Sequence, residues 1–248
     1  MINLSNDAAN PNLKIRSDKD VPSAHTLASE LGADELVSLR SALVSLRAAG
    51  ILGVHVEIGT AAGGTLVEML KVFGAGDRPP FWVVDTMTYF RNQLATVKKN
   101  LRNHDLTSDG IRFWVMMSGR AFVEARRDPP RVVFLFIDAD HELHGVTRDL
   151  QWTHFLVPGG LLAMHDYAPG SRLSGVTLAA DRFLNRNPHF EKLSLTNSLL
   201  IMRKKVAVER MEVNALEVCR AEVLRQIIKL RRSVAKRWSR LAGRIDET

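Results

Sequence analysis

The sequence predicts an α/β fold: a doubly wound, mostly parallel sheet with helices on both faces, a terminal antiparallel hairpin and a long C-terminal amphipathic helix. Three observations carry this expectation. Short apolar runs recur between Gly53 and His165, the purest being Val132-Val133-Phe134-Leu135-Phe136-Ile137, as strands do when helices cover both faces of a sheet. Stretches with helical spacing separate those runs, and such alternation builds parallel sheets. Later, two strand-like segments flank Thr196-Asn197, a pair suited to a hairpin turn.

Taken in order, residues 1–22 show no apolar periodicity and are read as a flexible arm. Asp34 is expected to cap a helix in which Leu36, Leu39, Leu43 and Leu46 recur at helical spacing, with Gly50 as its stop. Strands are expected over 53–58, 81–85, 111–117, 132–138 and 160–165, and helices over 64–73, 89–102, 119–126 and 143–155. A helix over 174–185 then precedes hairpin strands over 190–195 and 198–203. One domain is therefore expected over 23–205, followed by a tail over 206–248. In the tail Leu216, Cys219, Val223, Ile227, Leu230, Val234, Trp238 and Leu241 step by three or four residues, a long amphipathic helix.

The 248 residues suit one domain with appendages. No run approaches the ~20 apolar residues of a membrane span, and the polar start gives no sign of a signal peptide. Cys219 is the sole cysteine, which excludes an internal disulfide and makes a reducing, cytoplasmic setting the expectation. The net charge of +7 is local: residues 203–248 hold 13 Lys/Arg against 6 Asp/Glu, while the preceding 202 residues hold 21 of each sign. Docking on its own domain or on a second subunit, as a homo-oligomer seam, is the expected use of the tail, with a membrane surface as the alternative. Nucleic acid is disfavoured, because a neutral body offers no basic groove beside a site.

Three segments carry chemistry. In Val56-Glu57-Ile58-Gly59-Thr60-Ala61-Ala62-Gly63-Gly64-Thr65 an apolar strand enters a loop of small residues and then a helix, so a ligand can lie against the backbone. Its glycine spacing is not the G-x-G-x-x-G of dinucleotide binders, which favours a nucleoside without a diphosphate. Asp85 ends the next strand, 28 positions after Glu57, at the carboxyl edge where open α/β sheets bind ligands. There it can accept the hydroxyl protons of a ribose. Finally Ile137-Asp138-Ala139-Asp140-His141 and Met164-His165-Asp166-Tyr167 end two neighbouring strands in acidic and imidazole groups. Such a set can hold a divalent ion or deprotonate a hydroxyl directly.

Glu57-Ile58-Gly59 with Gly63, Asp85, the Ile137–His141 segment, and Pro158-Gly159-Gly160 leading to His165-Asp166-Tyr167 resemble the class I S-adenosylmethionine-dependent methyltransferase superfamily. Within it they are most similar to the branch holding macrolide-sugar and aminocoumarin O-methyltransferases and cephalosporin-hydroxylase-like proteins. The resemblance spans residues 52–203. It implies S-adenosylmethionine as cofactor and O-methylation of a hydroxyl on a small molecule or sugar. Glu57 and the loop residues Gly59, Thr60, Ala61 and Gly63 would contact the methionine part. Asp85 would hold the ribose with Thr86 beside it, Ser118 and Gly119 the adenine, and Asp138 would border the cofactor.

Asp138, His165 and Asp166 match the ligands of metal-dependent relatives, implying a divalent ion (Mg, Mn or Zn). A histidine in that set departs from the usual acidic or amide pair and suits zinc or manganese better. His141 and His165 compete as general base, each with an ordinary pKa near ~6.5, and Asp138 completes the catalytic set. His104, His144, His154 and His189 are read as surface or helix residues. Asp128-Pro129-Pro130 resembles a motif of amino methyltransferases but precedes the fourth strand instead of following it, so it is read as a turn. Two rival functions remain in view: a cofactor-binding scaffold without chemistry, and a nucleic-acid methyltransferase.

Overall fold

In the computed structural model the described residues are 27–74, 76–170 and 174–245, with side chains described through residue 234. The expected arm over 1–22 and the side chains of Trp238 and Leu241 lie outside them. Seven strands form one sheet in the order β3-β2-β1-β4-β5-β7-β6. Strands β1 (Val54–Ile58), β2 (Phe81–Asp85), β3 (Ile111–Val115), β4 (Val132–Ile137) and β5 (Leu156–Met164) run parallel. The hairpin β6 (Phe190–Thr196) and β7 (Leu199–Lys204) is antiparallel and joins through β7 to β5. Its turn holds Asn197 at φ +50°, a left-handed conformation that asparagine tolerates better than most residues.

Helices α1 (Ala33–Ala48), α2 (Gly64–Leu70) and α3 (Gln93–Asn103) share one core with one face of the sheet. Helices α4 (Ser118–Ala125), α5 (Leu143–Asp149), α6 (Gly175–Arg186) and the start of α7 (Ala215–Ile245) share the other. Every residue of β4 is buried, as its unbroken apolar run requires between two helical layers.

The expected boundaries shift where local chemistry intervenes. Helix α1 starts one residue before Asp34: Gly32 is its N-cap, and the Gly32 N–H donates to Glu35 Oε2 at 2.8 Å. Helix α3 starts at Gln93, not 89, because Asn92 has φ +58°. The stretch expected as one helix over 143–155 is α5 followed by a 3-10 turn, Leu150–Phe155. Strand β5 starts four residues early, with a register shift against β4 that absorbs the Pro158-Gly159-Gly160 segment. Asp128-Pro129-Pro130 lies just before β4, on the edge away from the strand ends that carry the candidate site.

The tail is joined to the domain by its first turns. Val213 and Ala221 are buried, and Val218, Leu224 and Ile228 pack against the same core. Just before α7, buried Glu212 meets Lys204 Nζ at 2.5 Å. The predicted stripe of Leu216, Cys219, Val223, Ile227, Leu230 and Val234 is not the docked face; all six are exposed. Among the described residues no helix is long and apolar enough to cross a membrane.

Candidate active site

The sheet order reverses between β1 and β4, so the loops leaving their carboxyl ends diverge to opposite faces and open a crevice between them. A cavity of about 650 Å³ occupies it. The β1–α2 loop forms one wall. Gly59 has φ +84°, and a Cβ there would sit 2.2 Å from the Asp138 carbonyl oxygen, so only glycine lets the two loops meet. Gly64 abuts the Ala28–Ser29 backbone in the same way, at 2.3 Å. Asn100 donates to the Leu27 and Ala62 carbonyls at 2.7 and 3.0 Å, tying residues before α1 to that wall.

Asp85 is committed to the loop as well as to the cavity it borders. Its Oδ2 accepts from the Thr60 N–H at 3.0 Å, and its Oδ1 from the Met87 N–H at 2.6 Å and Gln93 Nε2 at 3.3 Å. Oδ2, with a single donor, keeps a second lone pair for a ligand. Burial nevertheless pushes its pKa up, against the pull of those donors. Glu57 is fully buried at the floor, and neither carboxylate oxygen has a hydrogen-bond partner. Burial pushes it up to about 8; the Thr60 hydroxyl opposes this, and the charges of Asp138 and Asp85 add to it.

Of the other expected cofactor contacts, Thr60, Ala61, Thr86 and Ser118 line the cavity. Gly63 and Gly119 do not: Gly63 caps α2 facing Val97, and Gly119 faces the Arg148 side chain. The sequence reading missed Asp149 and Arg148, which close the cavity beside Ser118. Asp149 is buried, its Oδ1 accepts from the Ser118 hydroxyl, and its Oδ2 has no partner. Burial pushes its pKa up to about 7. An acidic residue inside the apolar spacing Leu143, Val146, Leu150 was the available signal.

At the opposite end the predicted cluster assembles. Asp138, His165 and Asp166 each offer a ligand atom, all within 4.8 Å of one another. His165 Nδ1 lies 3.4 Å from Asp138 Oδ1 and 3.7 Å from Asp166 Oδ1. His141 Nε2 lies 3.1 Å from Asp166 Oδ2 and 3.9 Å from Asp138 Oδ1, with its ring largely exposed at the cavity mouth. Asp166 has φ +61°, backbone strain of a kind that collects at functional sites. Burial works to raise Asp138, but His141 and His165 outweigh it and hold the carboxyl below its ordinary value. For His165, burial is outweighed by Asp138, Asp166 and Glu35, and its pKa is pushed up to about 9. His141 is raised too, by Asp138 and then by Asp166 and Asp140.

Glu35 was missed as well. It sits on α1, and its Oε2 faces His165 Nε2 at 3.6 Å. Its Oε1 accepts from both the N–H and the hydroxyl of Ser198 in the hairpin turn, at 2.9 and 2.8 Å. A carboxylate behind an imidazole whose other nitrogen faces two carboxylates is the arrangement that orients a metal-ligating histidine. Its members come from α1, β4, β5 and the hairpin, and no local pattern announces it.

Residues 56–167 match a family model described as a methyltransferase domain. No curated protein sequence matches the chain significantly. Among solved structures, the O-methyltransferase NovP is 18% identical, with a TM-score of 0.57 over 71% of this chain and 82% of NovP. An O-methyltransferase from Bacillus cereus, solved with S-adenosylhomocysteine, is 14% identical, with a TM-score of 0.55 over 73% of this chain and 91% of the other. CalS11, a TDP-rhamnose 3′-O-methyltransferase of calicheamicin biosynthesis, is 17% identical, with a TM-score of 0.55 over 68% and 78%. At such identities the likeness is one of fold. The matched segment runs from β1 through Tyr167 and holds the glycine loop, Asp85 and the Asp138–His165–Asp166 cluster, so the part of the chain that resembles a methyltransferase domain is the part that builds this cavity.

Proposed function

We propose that the protein transfers a methyl group from S-adenosylmethionine to a hydroxyl of a small molecule or sugar, with a divalent ion held by Asp138, His165 and Asp166. The observation that carries this reading is one cavity with unpaired buried acceptors at its cofactor end and a carboxylate–imidazole cluster at its mouth. S-adenosylmethionine brings an ammonium, two ribose hydroxyls and an exocyclic amine; Glu57, Asp85 and Asp149 are carboxylates spaced along the cavity to accept from such donors. Glu57 and Asp149 each keep an oxygen that no protein group satisfies, a cost that a ligand donor removes. The O-methyltransferases named above, one of which acts on a TDP-sugar, support oxygen as the accepting atom.

When bound, the cofactor supplies the electrophilic methyl on a positive sulfur and the ion supplies Lewis acidity at the acceptor oxygen. The chain itself aligns the two ends of the cavity for in-line displacement. We assign the hydroxyl proton to His141, and its exposure at the mouth against Asp166 supports that role. His165 is more enclosed and boxed by Asp138, Asp166 and Glu35, so it is assigned to ligation. The sole cysteine suits a cytoplasmic setting. Calorimetric titration with S-adenosylhomocysteine, followed by a mass-shift screen of sugars, phenols and polyketide alcohols with Mn²⁺ present, tests the reading. No S-adenosylhomocysteine binding by the wild-type protein would remove it.

A further inference from the structure

We propose that the outward face of α7 is a docking surface for an anionic lipid bilayer, which would hold this methyltransferase at a membrane surface. Helix α7 runs 31 residues, about 46 Å at 1.5 Å per residue. Its inner face is occupied by Val218, Ala221, Leu224 and Ile228 seated on the domain. On the roughly opposite face Leu216, Val223, Ile227, Leu230 and Val234 stand 43–66% exposed. A surface helix ordinarily carries one apolar stripe, turned to its own core. This one carries a second stripe turned away from it.

Charge selects the occupant. From Lys229 to Arg244 the sequence has seven Lys/Arg and no acidic residue. Two copies joined in parallel along this stripe would set cation against cation, and joined antiparallel they would set the seven cations against a segment of no net charge (Glu217 and Glu222 with Arg220 and Arg225), so neither arrangement neutralises them. Residues 1–26 hold three acidic and three basic groups, so they bring no compensating negative charge. A nucleic acid would answer the cations but has no use for five exposed aliphatic side chains, since phosphate contacts are made by polar and charged groups. A bilayer of anionic lipid takes both parts: the aliphatic stripe enters the headgroup boundary and the Lys/Arg meet the negative surface. Arg225 and Lys229 are already drawn toward the domain by Glu142, at 3.3 and 3.1 Å. They fix the helix to the loop that carries His141, leaving the opposite stripe free to face outward.

Co-sedimentation of the full-length protein with vesicles decides this. Phosphatidylcholine vesicles containing phosphatidylserine should pellet the protein, phosphatidylcholine alone should pellet far less, and added salt should weaken the binding. Ile227→Ser combined with Leu230→Ser should reduce the vesicle partition coefficient by about tenfold or more, while S-adenosylhomocysteine binding and melting temperature stay at wild-type values. Failure to bind either vesicle overturns the proposal. So does a wild-type dimer in sedimentation that the double variant converts to monomer without vesicle binding, which would make the stripe a seam between copies. Salt-sensitive binding to duplex DNA that the double variant retains in full, without vesicle binding, would overturn it as well.

Discussion

Replacing Glu57 with glutamine should make the cofactor-free protein more stable at alkaline pH and worse at binding its cofactor. Glu57 is buried without a hydrogen-bond partner, and its pKa rises from 4.5 to about 8 on folding. The sign follows from linkage. Below pH 4.5 the group is neutral in both states and costs nothing. Between 4.5 and about 8 the unfolded chain has released the proton while the folded chain retains it, so stability falls as pH rises; above 8 the loss is complete. At about 1.4 kcal/mol per pH unit, that interval amounts to at most about 5 kcal/mol. Glutamine removes this pH-dependent loss but leaves a buried amide unpaired at about 1–3 kcal/mol, so the net gain near pH 8.5 should be about 2–4 kcal/mol. Urea unfolding of both proteins at pH 5, 7 and 8.5 measures it: the two stability curves should diverge with pH. S-adenosylhomocysteine should then stabilise the variant less than the wild type at equal ligand concentration. Parallel pH profiles for the two proteins would refute the assigned burial cost, and undiminished ligand stabilisation would refute the assigned contact.

Four further outcomes are expected. Asp85→Ala should weaken S-adenosylhomocysteine binding by roughly 1–3 kcal/mol in calorimetry, since the loop loses its anchor at Thr60 along with the ribose acceptor. His165→Ala should reduce Mn²⁺ binding measured by titration, and Glu35→Gln should reduce it less, as expected of a group that orients the imidazole from behind. Gly59→Ala, forced to φ +84° and onto the Asp138 carbonyl, should lower the melting temperature by the equivalent of about 1–3 kcal/mol and abolish turnover together. Truncation after Lys205 should destabilise the domain and lower its melting temperature, because it removes Glu212 from Lys204 and Val213 and Ala221 from the core.

Sequence alone determined what depends on neighbours along the chain. The apolar run of β4, the glycine loop after β1, and acidic or imidazole residues at the ends of β2, β4 and β5 were all legible. A parallel sheet with a strand-order reversal must gather those ends on one edge, so the meeting of Asp138, His165 and Asp166 followed from order and type. Boundaries were less legible where a single residue overrides periodicity, as Asn92 does at the start of α3. Tertiary structure alone decided which groups back the site from a distance. Glu35 reaches His165 across 130 positions of chain and is steadied by Ser198 in the hairpin, and Asp149 becomes a cavity wall only because Ser118 folds over it. It also decided which side of the tail faces the domain. Two apolar stripes lie on one helix, and the one that is buried is the one that packs beside α5 with Ala221 in the core. Periodicity records that a helix has an apolar face; only complementary packing between surfaces remote in sequence determines which face is buried.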